Sequence, residues 1–74
     1  MNEKDFYLKI DEAICQDPGT VTGEESLSDS STFDSMAMME ILVFLDEELG
    51  VEMTPENIVA KGTVKGLFQT LFPN

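Results

Sequence analysis

The sequence predicts an all-α fold of four helices, three long and one short, with a long loop between the first and the second. Three observations predict it. Apolar residues recur at three- and four-residue intervals in separate segments, capping residues precede those segments, and proline or glycine follows them. At 74 residues the chain reads as a single domain, residues 1–74, and a domain of that size buries only about 60% of the surface its unfolded form exposes.

The first periodic segment spans 3–15, where Phe6, Ile10, Ala13 and Ile14 form an apolar stripe and Lys9, Asp11 and Glu12 stand between them. Asp17-Pro18-Gly19 stops it, because proline brings no N–H, its ring disfavours helical geometry in the residue before it, and glycine permits a sharp turn. From Thr20 to Thr32 the chain is rich in Ser, Thr, Asp, Glu and Gly, with Val21 and Leu27 as its apolar anchors. Regular structure has little to hold it there, and a loop of that length in a compact domain points to function. Leu27 and Phe33 are expected to pin it to the core. Ser26, Ser28, Ser30 and Ser31 read as ordinary loop residues, since there is no repeat and no second domain to link.

The second helix opens at Asp34-Ser35, either of which can cap it, and runs to Leu49, where Gly50 supplies the left-handed exit. Met38, Ile41, Leu42, Leu45 and Leu49 make a core stripe. Met36, Glu40, Val43 and Glu47 recur at helical spacing on another face, mixing apolar with acidic groups, and that face reads as a contact surface. Asp46, Glu47 and Glu48 crowd the last turn, where the negative end of the helix dipole disfavours anions. Breaking a local rule without a structural gain points to a basic partner.

Thr54-Pro55-Glu56 begins a short third helix, with Thr54 as cap and proline in the first turn, and Gly62 ends it. Thr63 caps a fourth, whose apolar face carries Val64, Leu67, Phe68 and Leu71 and which stops before Pro73.

Composition excludes several functions. Cys15 is the one cysteine and there is no histidine, which removes an intrachain disulfide, the commonest zinc ligand and the usual general base of nucleophilic catalysis. Asp29 and Asp34 lack the carboxylate spacing and central glycine of a calcium loop, so no metal site is expected. No catalytic residues are assigned, and the chain is expected not to be an enzyme. Fifteen acidic residues against four lysines give a net charge of −11, which repels nucleic acid and anionic membranes and favours partners with basic surfaces. Asn2, Glu3, Lys4 and Asp5 do not make a secretory start, and no apolar run has membrane-spanning length, so a cytoplasmic monomer is expected.

The order of these elements, with Phe33-Asp34-Ser35-Met36 at the start of the second helix, resembles the acyl carrier protein family and its Asp-Ser-Leu attachment motif. The resemblance extends over nearly the whole chain: Ile41 to Leu49 with Gly50-Val51-Glu52-Met53 matches the acidic second helix and its exit, and Thr63-Val64 matches the start of the last helix. It implies a four-helix bundle of acyl-carrier type, with a 4'-phosphopantetheine arm attached covalently to Ser35 through a phosphodiester, preceded by Asp34. It also implies a phosphopantetheinyl transferase as partner, and synthase or ligase enzymes with basic docking surfaces that read Met36, Met39, Glu40, Val43 and Glu47. The sequence departs from common carriers at Phe33, Ala37 and Met38, which make the region unusually apolar. Met36, Met38 and Met39 would suit an irregular partner surface or shape a cargo cavity, with Met38 read as core. An acyl or polyketide cargo is favoured, carried as a thioester as in fatty acid or polyketide biosynthesis. An aminoacyl or D-alanyl carrier is the alternative; the chain lacks the late tryptophan frequent in D-alanine carriers, and the Gly-Gly-His-Ser pattern of peptidyl carriers is absent. A further alternative is an acidic interaction module that has lost the arm.

Overall fold

The computed structural model describes residues 1–73 and contains, among them, four helices and no strand: α1 Glu3–Ala13, α2 Ser35–Leu49, α3 Pro55–Val59 and α4 Val64–Leu71. α1 packs on α2 and α4, and α2 also packs on α3. Each helix begins on a side-chain cap: Asn2, Asp34, Thr54 and Thr63 all accept a backbone amide of the first turn. At α3 the cap is reciprocal, Asn57 reaching back to the Thr54 amide.

α1 ends at Ala13, two residues before the expected Cys15. Cys15 has φ 59°, in the left-handed region; its amide bonds the Glu12 carbonyl and the Gln16 amide the Asp11 carbonyl, at 3.2 and 2.8 Å. That pattern closes a helix in the way glycine usually does, here with a residue that carries a Cβ. α2 closes instead through Gly50 at φ 66°, past which the Val51 amide reaches the Leu45 carbonyl at 3.0 Å.

Asp11 is the second departure. Expected among the polar residues of α1, it is wholly buried. Its carboxylate accepts the Gly19 and Val21 amides at 2.8 and 2.9 Å and so ties the start of the long loop to α1. A buried carboxylate is stable only with such donors, and here the loop backbone supplies them.

Val21, Leu27 and Phe33 are all buried, so the loop is pinned at three apolar points. It also pairs with the α3–α4 connection. The Leu27 amide bonds the Gly62 carbonyl at 2.9 Å, Val64 and Lys65 donate to Glu25 and Gly23, and Ser26 and Thr63 form an isolated antiparallel bridge. Glu25 braces the turn, its carboxylate accepting the Thr22 and Gly23 amides at 2.9 and 2.8 Å. Gly23 passes under the Tyr7 hydroxyl, into which any Cβ at that position would run. Burial, then the hydrogen bond to Glu3, pushes that hydroxyl well above the usual tyrosine range.

The core joins Ile10, Ile41, Leu45, Ile58, Val64 and Leu67 to an aromatic group around Phe6. Phe6 lies 5.8 Å from Phe44 and 5.4 Å from Phe68, and Phe68 lies 5.2 Å from Phe72, ring centre to ring centre. These tilted contacts clamp α1 between α2 and α4. Leu42, Leu49, Phe68 and Leu71 are half-buried at its margin, and Met38 is inside it.

Candidate functional site

The long loop delivers the chain to α2 by a compact turn. The Asp29 carbonyl accepts the Thr32 and Phe33 amides at 3.2 and 2.8 Å, and its carboxylate takes the Ser31 hydroxyl and amide at 2.7 and 3.0 Å. Those bonds, the Ser31 hydroxyl first, hold the Asp29 carboxyl below its ordinary range. Phe33 then drops into the core, so the next residue emerges at the surface in a fixed direction.

Asp34 is extended, with φ −73° and ψ −176°, and its carboxylate accepts the Ala37 amide at 2.9 Å while its carbonyl accepts Met38. The cap of α2 is therefore Asp34, and the choice left open between Asp34 and Ser35 is decided by this bond. Ser35 is the first helical residue, exposed, at the positive end of the helix.

Two clefts flank it. One, of about 310 Å³, is lined by Phe33, Asp34, Ser35, Met38, Met39 and Pro55. The other, of about 530 Å³, lies towards the end of α1 and includes Cys15, Thr32, Asp34, Met36 and Glu40. Cys15 is exposed there.

The acidic-apolar stripe of α2 is open to solvent along its length. Met36, Met39 and Val43 are 76%, 63% and 47% exposed, and Glu40 and Glu47 stand beside them. α2 contains no basic residue, so every charge that the helix itself brings to this face is negative. One of the three acids in its last turn does have a structural role: Glu48 pairs with Lys9 of α1 at 3.5 Å. Both partners are half-exposed, and such a bridge is worth about 0–1 kcal/mol. Asp46 and Glu47 have no ion-pair partner among the described residues.

The structure thus brings together Asp34, Ser35, Met36, Met39, Glu40, Val43 and Glu47 on one side of α2. Sequence reasoning passed over Asp11, Glu25 and Phe44. The available signal for Asp11 was its place four residues after Tyr7 and three before Ile14, on a half-buried stripe and just ahead of a Pro-Gly turn. No helix among the described residues is long and apolar enough to cross a membrane.

A family model described as a phosphopantetheine attachment site matches residues 9–71. Searches of curated proteins and of solved structures found no match. The local chemistry fits such a group: an exposed serine hydroxyl stands at a helix start whose cap is already supplied, where the dipole favours a phosphodiester. The chain belongs to the phosphopantetheine attachment site family and has the all-α fold of an acyl-carrier domain, the kind that bears 4'-phosphopantetheine covalently.

Proposed function

We propose that the chain is a carrier whose Ser35 hydroxyl takes the 4'-phosphopantetheine arm, and which presents acyl or polyketide-type intermediates to partner enzymes without catalysing a reaction itself. The observation that carries this reading is the capping bond from the Ala37 amide to Asp34. With Asp34 holding the first turn, the Ser35 hydroxyl has no structural duty and is free to react.

The roles of the chain's own residues follow. Asp34 fixes the direction of the helix start, and Phe33 anchors it from behind. As the pyrophosphate bond of coenzyme A breaks and adenosine 3',5'-bisphosphate leaves, the phosphorus that carries pantetheine bonds to Ser35 Oγ. Its proton passes to a base on the transferase, since this chain has no histidine. The helix end then stabilises the resulting phosphodiester. When bound, the arm supplies a terminal thiol that holds cargo as a thioester. Met36, Met39 and Val43 provide the apolar contact with a partner, and Glu40 and Glu47 meet its basic rim and steer encounter. We read the carrier as a cytoplasmic monomer, a single domain over 1–74 that works with a phosphopantetheinyl transferase and synthase or ligase enzymes.

The test is intact mass after incubation with a promiscuous phosphopantetheinyl transferase, coenzyme A and magnesium. One addition of about 340 Da to the wild type, absent from Ser35→Ala, is expected. Addition to Ser35→Ala would move the attachment elsewhere, and no addition with several transferases would leave an acidic interaction module.

A further inference from the structure

The chain's five methionines occupy different environments. Met36 and Met39 stand one and four residues after Ser35, and both are largely exposed. Met38, between them, is 6% exposed and belongs to the core, and Met53 is half-buried against it. Met1 is exposed at the start of the chain. The apolar part of the proposed docking face is therefore Met36, Met39 and Val43, two thioethers and one small alkyl group.

A thioether is soft and apolar, whereas its sulfoxide is polar and chiral. We infer that Met36 and Met39 form a peroxide-sensitive switch on the docking face, which weakens partner engagement when oxidised and restores it when reduced. This rests on the carrier reading and on the docking role of α2. In the forward step the sulfur lone pair attacks one oxygen of hydrogen peroxide, the S–O bond forms and the O–O bond breaks. Sulfur loses two electrons, and the departing oxygen takes the proton of the transferred one and leaves as water. In the return step a dithiol supplies two electrons through a sulfoxide reductase, giving thioether, disulfide and water.

The consequence follows from desolvation. A sulfoxide pressed into an apolar partner pocket loses its water without a matching donor. Glu40 and Glu47 are untouched, so electrostatic encounter persists while the close contact weakens. The buried Met38 is protected by its packing and serves as an internal control.

The experiment uses the Cys15→Ser protein, so that the exposed thiol does not consume oxidant. It is treated with limiting hydrogen peroxide, mapped by peptide mass, and assayed as substrate of the phosphopantetheinyl transferase with coenzyme A and magnesium. Additions of about 16 Da on Met36 and Met39 are expected before any on Met38. The KM for the carrier is expected to rise roughly three- to tenfold with a smaller change in kcat, as lost binding requires, and to recover with methionine sulfoxide reductase and dithiothreitol. In Met36→Leu/Met39→Leu, whatever its starting KM, peroxide is expected to change nothing; Met1 is common to both proteins. An unchanged KM in doubly oxidised protein, a response that persists in the leucine variant, or loss of helical circular dichroism on oxidation overturns the switch and leaves the carrier reading standing. Failure of the untreated protein to gain the arm overturns the carrier reading and the switch with it.

Discussion

The buried carboxylate of Asp11 accepts the Val21 amide at 2.9 Å, ten residues further along the chain, and with a second bond from Gly19 it fastens the long loop to α1. The loop's far end leads into Ser35, so this anchor bears on the geometry of the site as well as on stability. Asp11→Ala removes the acceptor and leaves two backbone amides without a partner. A loss of about 2–4 kcal/mol is expected, read from urea unfolding. Asp11→Asn keeps one acceptor oxygen and should recover part of it. A loss below 1 kcal/mol in the alanine variant would show that water replaces the carboxylate at little cost.

Asp34 and Ser35 are adjacent but should separate cleanly on substitution. Asp34→Ala removes the α2 cap and is expected to cost about 1 kcal/mol. Ser35→Ala removes no capping bond and puts a better helix former in the first turn, so stability should stay within about 0.5 kcal/mol of wild type while arm addition is abolished. Thermal unfolding of both variants, beside intact mass, checks this. Equal destabilisation would mean that the serine shares the capping duty.

Burial raises the Glu25 carboxyl, but the Thr22 amide, Glu25's own amide, the Gly23 amide and the Thr22 hydroxyl together outweigh it and hold the group below its ordinary 4.5. A carboxyl depressed in the folded state adds stability that is present above its unfolded value and is lost as pH falls through the folded one. Stability should therefore decline as pH drops below about 4.5, and Glu25→Gln should flatten that part of the profile. Urea midpoints at pH 7, 4.5 and 3 test the sign: a variant profile as steep as the wild type would assign the acid loss to other carboxylates.

Cys15 carries its Cβ in a left-handed turn, where L-residues other than glycine are strained by about 1–2 kcal/mol. Cys15→Gly relieves that strain but enlarges the entropy of the unfolded chain by about 0.5–1 kcal/mol. The net expectation is a gain of about 0–1.5 kcal/mol, with Cys15→Val lower than wild type because its branched side chain fits that conformation worst. Calorimetric midpoints of the three proteins rank them.

Helix starts, that of α2 with its exposed serine included, were legible in the amino-acid sequence because their chemistry is local. A cap bonds an amide three residues on, as Asp34 does with Ala37 and Thr54 with Asn57, and proline and glycine act on their own dihedrals. The exposed acidic-apolar face was legible for the same reason, since Met36, Glu40, Val43 and Glu47 share a helix side by periodicity alone. α1 read two residues too long because Ile14 and Cys15 suit a helix individually, and its closure depends on the bonds from Cys15 and Gln16 back to Glu12 and Asp11.

What the sequence determined by itself, then, was the set of four helices, the acidic face of α2 and the candidate hydroxyl at its start. Only the tertiary structure decided that Asp11 is interior, that Leu27 pairs with Gly62 and that Phe6 gathers Phe44 and Phe68. The physical reason is the range of the interactions. Periodicity and capping act over three or four residues, whereas a buried carboxylate, a loop pairing and an aromatic cluster depend on where distant stretches of chain meet.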